Sequence, residues 1–172
     1  MAQTYKDSIN QQFARYNSLI TNKEFDKALD YANPGMFKIV DRQQLVVYMK
    51  SIFNNPSFEY TTFPPDINSV SNDTLINGAH HSTIRYTATV NFHFIPDSTT
   101  KKNAGLYQAA FAKEFGEQNI HYNEKTNIFS ITTEKKAVAF SSDQRKWLFS
   151  VIEKKQIELL KKFIPSELVT VD

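Results

Sequence analysis

The chain has 172 residues, 20 basic against 18 acidic side chains, and no cysteine. That length suffices for one domain burying roughly 70% of its unfolded surface, so the core needs no staple, and the missing thiols exclude disulfides, thiolate metal sites and cysteine nucleophiles. A net charge of +2 supplies no field to gather phosphate backbones or anionic membranes, so nucleic acid is not an expected partner.

No apolar run approaches the roughly 18 residues needed to cross a bilayer, so no membrane span is expected. The polar start Met1-Ala2-Gln3-Thr4 lacks the apolar segment of a signal peptide. Ala2-Gln3 is also a common opening pair after a cleaved export signal, and the compartment, cytoplasmic or exported with its signal removed, stays open.

In chain order, Ile9, Phe13, Tyr16 and Ile20 recur at spacings of three and four, with Leu19 adjacent, and predict an amphipathic helix over about 5–21. Phe25, Ala28 and Leu29 predict a short second helix, stopped by Asn33-Pro34-Gly35. Asp41 is the expected N-cap of a third, whose apolar stripe is Leu45, Tyr48, Met49, Ile52 and Phe53 before Asn54-Asn55-Pro56 ends it.

From Ser57 the period changes to two. Phe58 and Tyr60 alternate with Glu59 and Thr61 until Pro64-Pro65, and a second strand is expected over 66–76, turning at Asn77-Gly78, the dipeptide suited to a type I′ hairpin. Its return arm carries Ile84, Tyr86, Ala88, Val90, Phe92 and Phe94 on one face. Thr83, Arg85, Thr87, Thr89, Asn91 and His93 fall on the other. A strict two-residue turn would set Ile67 beside Ala88 but Val70 beside Arg85, so a bulge is expected in the arm.

A polar loop over 96–103 leads to a helix carrying Leu106, Tyr107, Ala110, Phe111 and Phe115, with Gly116 just past its end. Further strands are expected at 120–122 with 128–133, at 136–140 and at 146–153. The last, with Trp147, Phe149 and Val151 alternating with Leu148 and Ile152, is apolar on both faces, the pattern of a central strand or of one covered by a second subunit. A helical turn or two over 156–163 leads to Ile164-Pro165. With no repeat, linker or low-complexity segment, residues 1–172 read as a single domain of the α+β class, N-terminal helices on one face of a curved, mainly antiparallel sheet.

Phe25-Asp26-Lys27-Ala28-Leu29-Asp30-Tyr31, then Pro34-Gly35-Met36-Phe37 and the 45–53 helix, resemble the N-terminal part of the nuclear transport factor 2-like superfamily. Phe115-Gly116-Glu117-Gln118-Asn119-Ile120-His121-Tyr122, Trp147-Leu148-Phe149 and Ile164-Pro165 look like a bacterial, SnoaL-like or ketosteroid-isomerase-like branch whose members mostly lack an assigned function. The resemblance spans nearly the whole chain and implies a cystatin-like cone, a strongly bent sheet around the leading helices with a cavity at its wide end, often paired as a homodimer through the outer sheet face. Members include ketosteroid isomerase, scytalone dehydratase, polyketide cyclases and non-catalytic binding modules, so the fold selects no chemistry.

The enzymes of that fold place an acid, or a His and Asp pair, inside an apolar cavity where desolvation tunes its pKa. The even face of the long strand holds no acid, and Glu59 reads as a solvated strand glutamate. His80 and His81 project to opposite faces and cannot share a metal, while His93 and His121 read as surface residues. No Gly-x-Ser-x-Gly occurs, and four glycines leave no phosphate loop or dinucleotide fingerprint, so no metal or nucleotide cofactor is expected. The lysine pairs read as solvated surface.

Fourteen Phe, eight Tyr and one Trp are the stronger clue. They read as a core filling the cone, or, more sharply, as a cavity in which Tyr16, Tyr31, Phe37, Tyr86, Val90 and Phe92 line a site for a small apolar or amphipathic ligand. The favoured expectation is a non-catalytic binding or interaction domain. An isomerase, dehydratase or cyclase comes second, and an assembly module using the 147–152 strand third.

Overall fold

A computed structural model of the chain describes residues 4–94 and 103–170. The first helix, α1 (Tyr5–Thr21), starts where its sequence can close a capping box: the Thr4 hydroxyl accepts from the Asp7 amide and the Asp7 carboxylate accepts from the Thr4 amide. Its buried residues are Ile9, Phe13 and Leu19, the predicted stripe. A short α2 (Phe25–Ala28) runs into a 3-10 turn, Leu29–Tyr31. Asn33 then caps a second 3-10 turn, Pro34–Lys38, by accepting from the Gly35 amide.

Asp41 caps α3 (Arg42–Phe53) as expected, accepting from the amides of Gln43 and Gln44. The predicted stripe of this helix needs one correction. Val46 and Phe53 are buried with Leu45, Met49 and Ile52 beside them, whereas Tyr48 is exposed. Tyr48 lies roughly 100° around the helix from Met49, outside the arc that meets α2.

Among the described residues seven antiparallel strands form one curved, open sheet of a cone-like α+β fold. Two long strands make its spine, β4 (Ala79–Phe94) and β6 (Ile128–Ser141), paired continuously from His80 with Ser141 to His93 with Ile128. Short strands flank them end to end. β1 (Phe58–Thr62), β2 (Asp66–Val70) and β3 (Thr74–Ile76) line the free edge of β4, while β5 (Ile120–Asn123) and β7 (Leu148–Ile152) line that of β6.

Two strand predictions change. The arm expected over 66–76 breaks at Ser71-Asn72-Asp73, where Ser71 turns its hydroxyl to accept from the Thr83 amide. The anticipated bulge lies between Ile67 and Ser69 and sets Ile67 opposite Tyr86 and Val70 opposite Ile84, so both apolar residues share the even face of β4. Asn77 and Gly78 have φ of 52° and 78°, the conformation a type I′ turn requires. The strands expected at 128–133 and 136–140 are one, because Glu134 and Lys135 keep the ladder by pairing with Thr87 and Tyr86.

The last strand is neither central nor left for a second subunit. β7 pairs with β6 on one side and has a single parallel bridge, Ala32 to Phe149, on the other. Phe149 packs beneath α1, and Ile152 lies under the C-terminal segment, where α5 (Ile157–Leu160), Ile164 and Val169 cover it together with Val138. Trp147, buried just before β7, donates from its indole to the Gln144 carbonyl. The chain thus covers both faces of β7 itself.

The even face of β4 receives α1. Ile9 and Phe13 pack on Ile84, Tyr86, Ala137 and Ala139, and Phe13 meets Tyr86 and Phe149 edge-on at 5.0 and 5.1 Å. At the other end of the same face, α4 (Ala104–Phe115) sets Phe111 and Tyr107 against Phe92, Phe94 and Phe129. Leu106, predicted on the packing stripe of α4, faces solvent instead. Gly116 ends the helix with φ 89°, as its position predicted. The polar loop expected over 96–103 lies outside the described residues except for Asn103.

At Gly35 the helical layer lies close against the C-terminal segment: a Cβ there would stand 2.4 Å from Cβ of Phe163. Gly35→Ala is expected to cost about 1–3 kcal/mol through overpacking. Gly105→Ala, with nothing within 4 Å, is expected to leave the urea midpoint unchanged or slightly raised. Equal midpoints for the two variants would show that this contact relaxes freely.

Candidate functional site

Between the C-terminal half of α1 and the middle of the sheet the packing leaves a hollow of about 150 Å³. Its floor is Tyr86, Ala88 and Val90 of β4 with Val151 of β7, and its sides are Tyr60 and Thr62 of β1 and Asn17, Ile20 and Thr21 of α1. Alternation dictates the floor, since even residues of β4 share one face. The spine register adds Lys135, which stands opposite Tyr86 and two residues before Ala137 of the core.

The hollow adjoins a larger, open notch of about 1,100 Å³, and Tyr86 and Lys135 line both. The notch follows from the strand ends. β5 leaves β6 at the Ile120–Ile131 pair and β7 joins it at the Lys136–Ile152 pair, so residues 132–135 have no strand beyond them on that edge. Both flanking chains turn into 3-10 helices there, Glu117–Asn119 and Lys154–Gln156, which wall the notch.

Lys135 is tied down inside this opening by an ion pair to Glu153, Nζ to Oε1 at 2.5 Å, with the lysine side chain 28% exposed. Glu153 follows Phe149 and Val151 at spacings of two, which brings it to the same side of the sheet. A second pair, Lys155 with Glu114, links the chain after β7 to the end of α4 across the notch.

Two tyrosines, Tyr60 and Tyr86, line the hollow, and a third, Tyr16, lies beside it. Burial pushes the Tyr16 phenol up to about 12. Burial first, then the neighbouring Tyr16 and Glu153, raises that of Tyr86 still further, and Tyr60 is raised by burial and then by Glu153. Among the described residues none of these hydroxyls has a hydrogen-bond partner in the protein. All three are therefore neutral donors throughout the physiological range, and unsuited to act as bases.

Of the six residues expected to line a cavity, Tyr86 and Val90 do so. Tyr16 lies beside them, stacked on Phe149 at 5.9 Å. Tyr31 packs at the margin of the α1 core, and Phe37 sits in the helical cluster under the Arg42 guanidinium, 5.7 Å from its ring. Phe92 is held among Phe58, Tyr60 and Phe111. Neither Tyr31, Phe37 nor Phe92 borders the hollow, because the aromatic clusters on both sides of it are filled.

Lys135, Glu153 and Tyr60 were missed as site residues. Their signal was available: the odd series Trp147, Phe149, Val151 continues to Glu153, and Ala139, Ala137 runs back to Lys135. Glu59, outward and 73% exposed, binds His93 at 3.0 Å, and His121 is exposed. His80 and His81 do diverge. His80 pairs with Asp73 at 2.6 Å, while His81, its pKa lowered by burial, contacts the Ala79 carbonyl and the Phe140 ring. Among the described residues no three His, Asp or Glu side chains gather to hold a metal ion. No helix of the described chain is long and apolar enough to cross a membrane.

No protein-family model matches the chain, and comparison with curated proteins and with solved structures finds no match to either.

The buried phenols set an alkaline limit. Tyrosines whose folded pKa exceeds the ordinary 10.0 contribute stability that is whole below that value and is lost as pH rises to the folded pKa, about 12 for Tyr16. The urea midpoint, followed by Trp147 fluorescence, is expected to fall between about pH 10 and 12, and Tyr16→Phe to lessen the fall. A midpoint with the same pH dependence in both proteins would show that Tyr16 ionises freely.

Proposed function

We propose that this chain is a nuclear transport factor 2-like domain that binds a small amphipathic molecule without transforming it. The observation that carries the reading is a hollow floored by Tyr86, Ala88, Val90 and Val151, with phenols that have no hydrogen-bond partner among the described residues and a charged rim at Lys135 and Glu153. Apolar walls with a few convergent polar groups are what orient a small ligand. Helices enclosed by a bent sheet, in the order that the resemblance implies, support the superfamily assignment.

The outer sheet face, where a homodimer would form, presents Thr89 bonded to Thr132, Asn68 bonded to Thr87 and Glu59 paired with His93. Such a surface supplies little apolar area for association. The Trp147 to Ile152 strand, the alternative contact surface, is covered by its own chain. The interior is accordingly the better site.

A second reading, an isomerase, dehydratase or cyclase free of metal and nucleotide, is favoured by one observation: Glu153 stands near two neutral tyrosines, Tyr60 and Tyr86, an arrangement of base and hydrogen-bond donors. Against it, one oxygen of Glu153 is occupied by Lys135.

Benzyl alcohol, neutral and near the hollow in size, tests the binding reading. At about −0.5 kcal/mol per heavy atom it should bind at about 1 mM and shift the methyl resonances of Ala88, Val90 and Val151 in a saturable way. Ala88→Trp should abolish those shifts while the protein stays folded. Shifts absent, or scattered over the surface, would remove the proposal.

A further inference from the structure

Resting on that reading, we propose that the ligand is a monoanion: a carboxylate on a benzene-sized apolar group, with its ring in the hollow and its head in the notch beside Lys135.

Size fixes the apolar part. A hollow of about 150 Å³ matches an apolar cavity that accepts benzene, whereas a four-ring skeleton would exceed it. A larger ligand can extend past Tyr86 and Lys135 into the notch, since those two residues line both spaces.

Charge fixes the head. Six basic side chains border the notch against three glutamates, and two of those glutamates, Glu114 and Glu153, are already matched by Lys155 and Lys135. An ammonium has three N–H donors, and among the described residues the Lys135 ammonium donates to one partner, Oε1 of Glu153. That bond holds the group at the junction of hollow and notch with donors to spare. The Tyr60 and Tyr86 hydroxyls, which also line the hollow and have no hydrogen-bond partner among the described residues, add donors that a carboxylate accepts, while the charge of Lys135 supplies the discrimination against a cation. A cationic head would instead meet the Lys135 ammonium where the two spaces adjoin.

The test uses the full chain and a matched pair, 3-phenylpropionate and 3-phenylpropanamide, with affinities from calorimetry or methyl shifts. The acid is expected to bind about tenfold more tightly than the amide at about 10 mM salt, and the advantage to shrink at about 0.15 M as the Debye length falls from about 30 to about 8 Å. Lys135→Gln should erase the preference and Lys135→Arg keep it. Glu153→Gln, which removes the competing carboxylate, should tighten the acid several-fold and leave the amide unchanged, a gain that a purely structural role for the ion pair would not produce. Equal affinities in the wild-type protein, or a preference that survives Lys135→Gln in a folded protein, would overturn the inference. Benzyl alcohol separates the two levels: if it shifts Val90 while the acid shows no advantage, the anionic head is wrong and the binding site stands, and if it too fails to bind, both fall.

Discussion

Every side chain that faces the hollow from the spine does so because β4 and β6 pair without a slip from one end to the other. A one-residue shift anywhere along that ladder would turn Lys135 outward and bring Glu134 or Lys136 in. The same register places Ala137 and Ala139 opposite Ile84 and Ser82, and those small residues are what allow the Phe13 ring to lie close against Tyr86 and Phe149. Helix placement and site composition are thus two consequences of one pairing.

The notch has a related origin. Neither short strand on the β6 edge is long enough to meet the other, so the spine is bare where its inward residues are least apolar, at Thr133 and Lys135. Backbone there can be left without a strand partner because water reaches it. On either side the aromatic clusters close the concave face, Phe92 with Phe111 and Phe129 toward α4 and Phe13 with Phe149 under α1. The hollow is the interval between two filled cores, which explains its small volume.

Much of this architecture was legible in the sequence. Period-two alternation gave the long strand and its inner face, Asn77-Gly78 gave the hairpin, and the conflict between Ile67 and Val70 foretold the bulge. Legibility failed where a local pattern is settled by a distant partner. Glu134-Lys135 reads as a break between strands because charges seldom interrupt a buried run, yet β4 carries the ladder across them. Both faces of β7 are apolar, and only the fold reveals that residues 157–169, not a neighbouring molecule, cover the second one. Tyr31, Phe37 and Phe92 were grouped with the cavity because aromatic character marks a core and a binding wall alike, and volume alone distinguishes them.

Alternation places Lys135 and Glu153 on the inner face, but a charge within an apolar series reads as an interruption rather than as a site, and that bears on what the pair does. A half-exposed ion pair contributes about 0–1 kcal/mol to stability, because solvent screens it and two long side chains must be held still. A leucine at position 135, opposite Tyr86, would bury apolar surface at about 25 cal/mol per Å² and leave no charge to desolvate. Fold stability alone therefore favours an apolar residue at the very place where the sheet turns a charge inward. The lysine is the element that stability does not require, and it stands where an apolar hollow adjoins a basic opening.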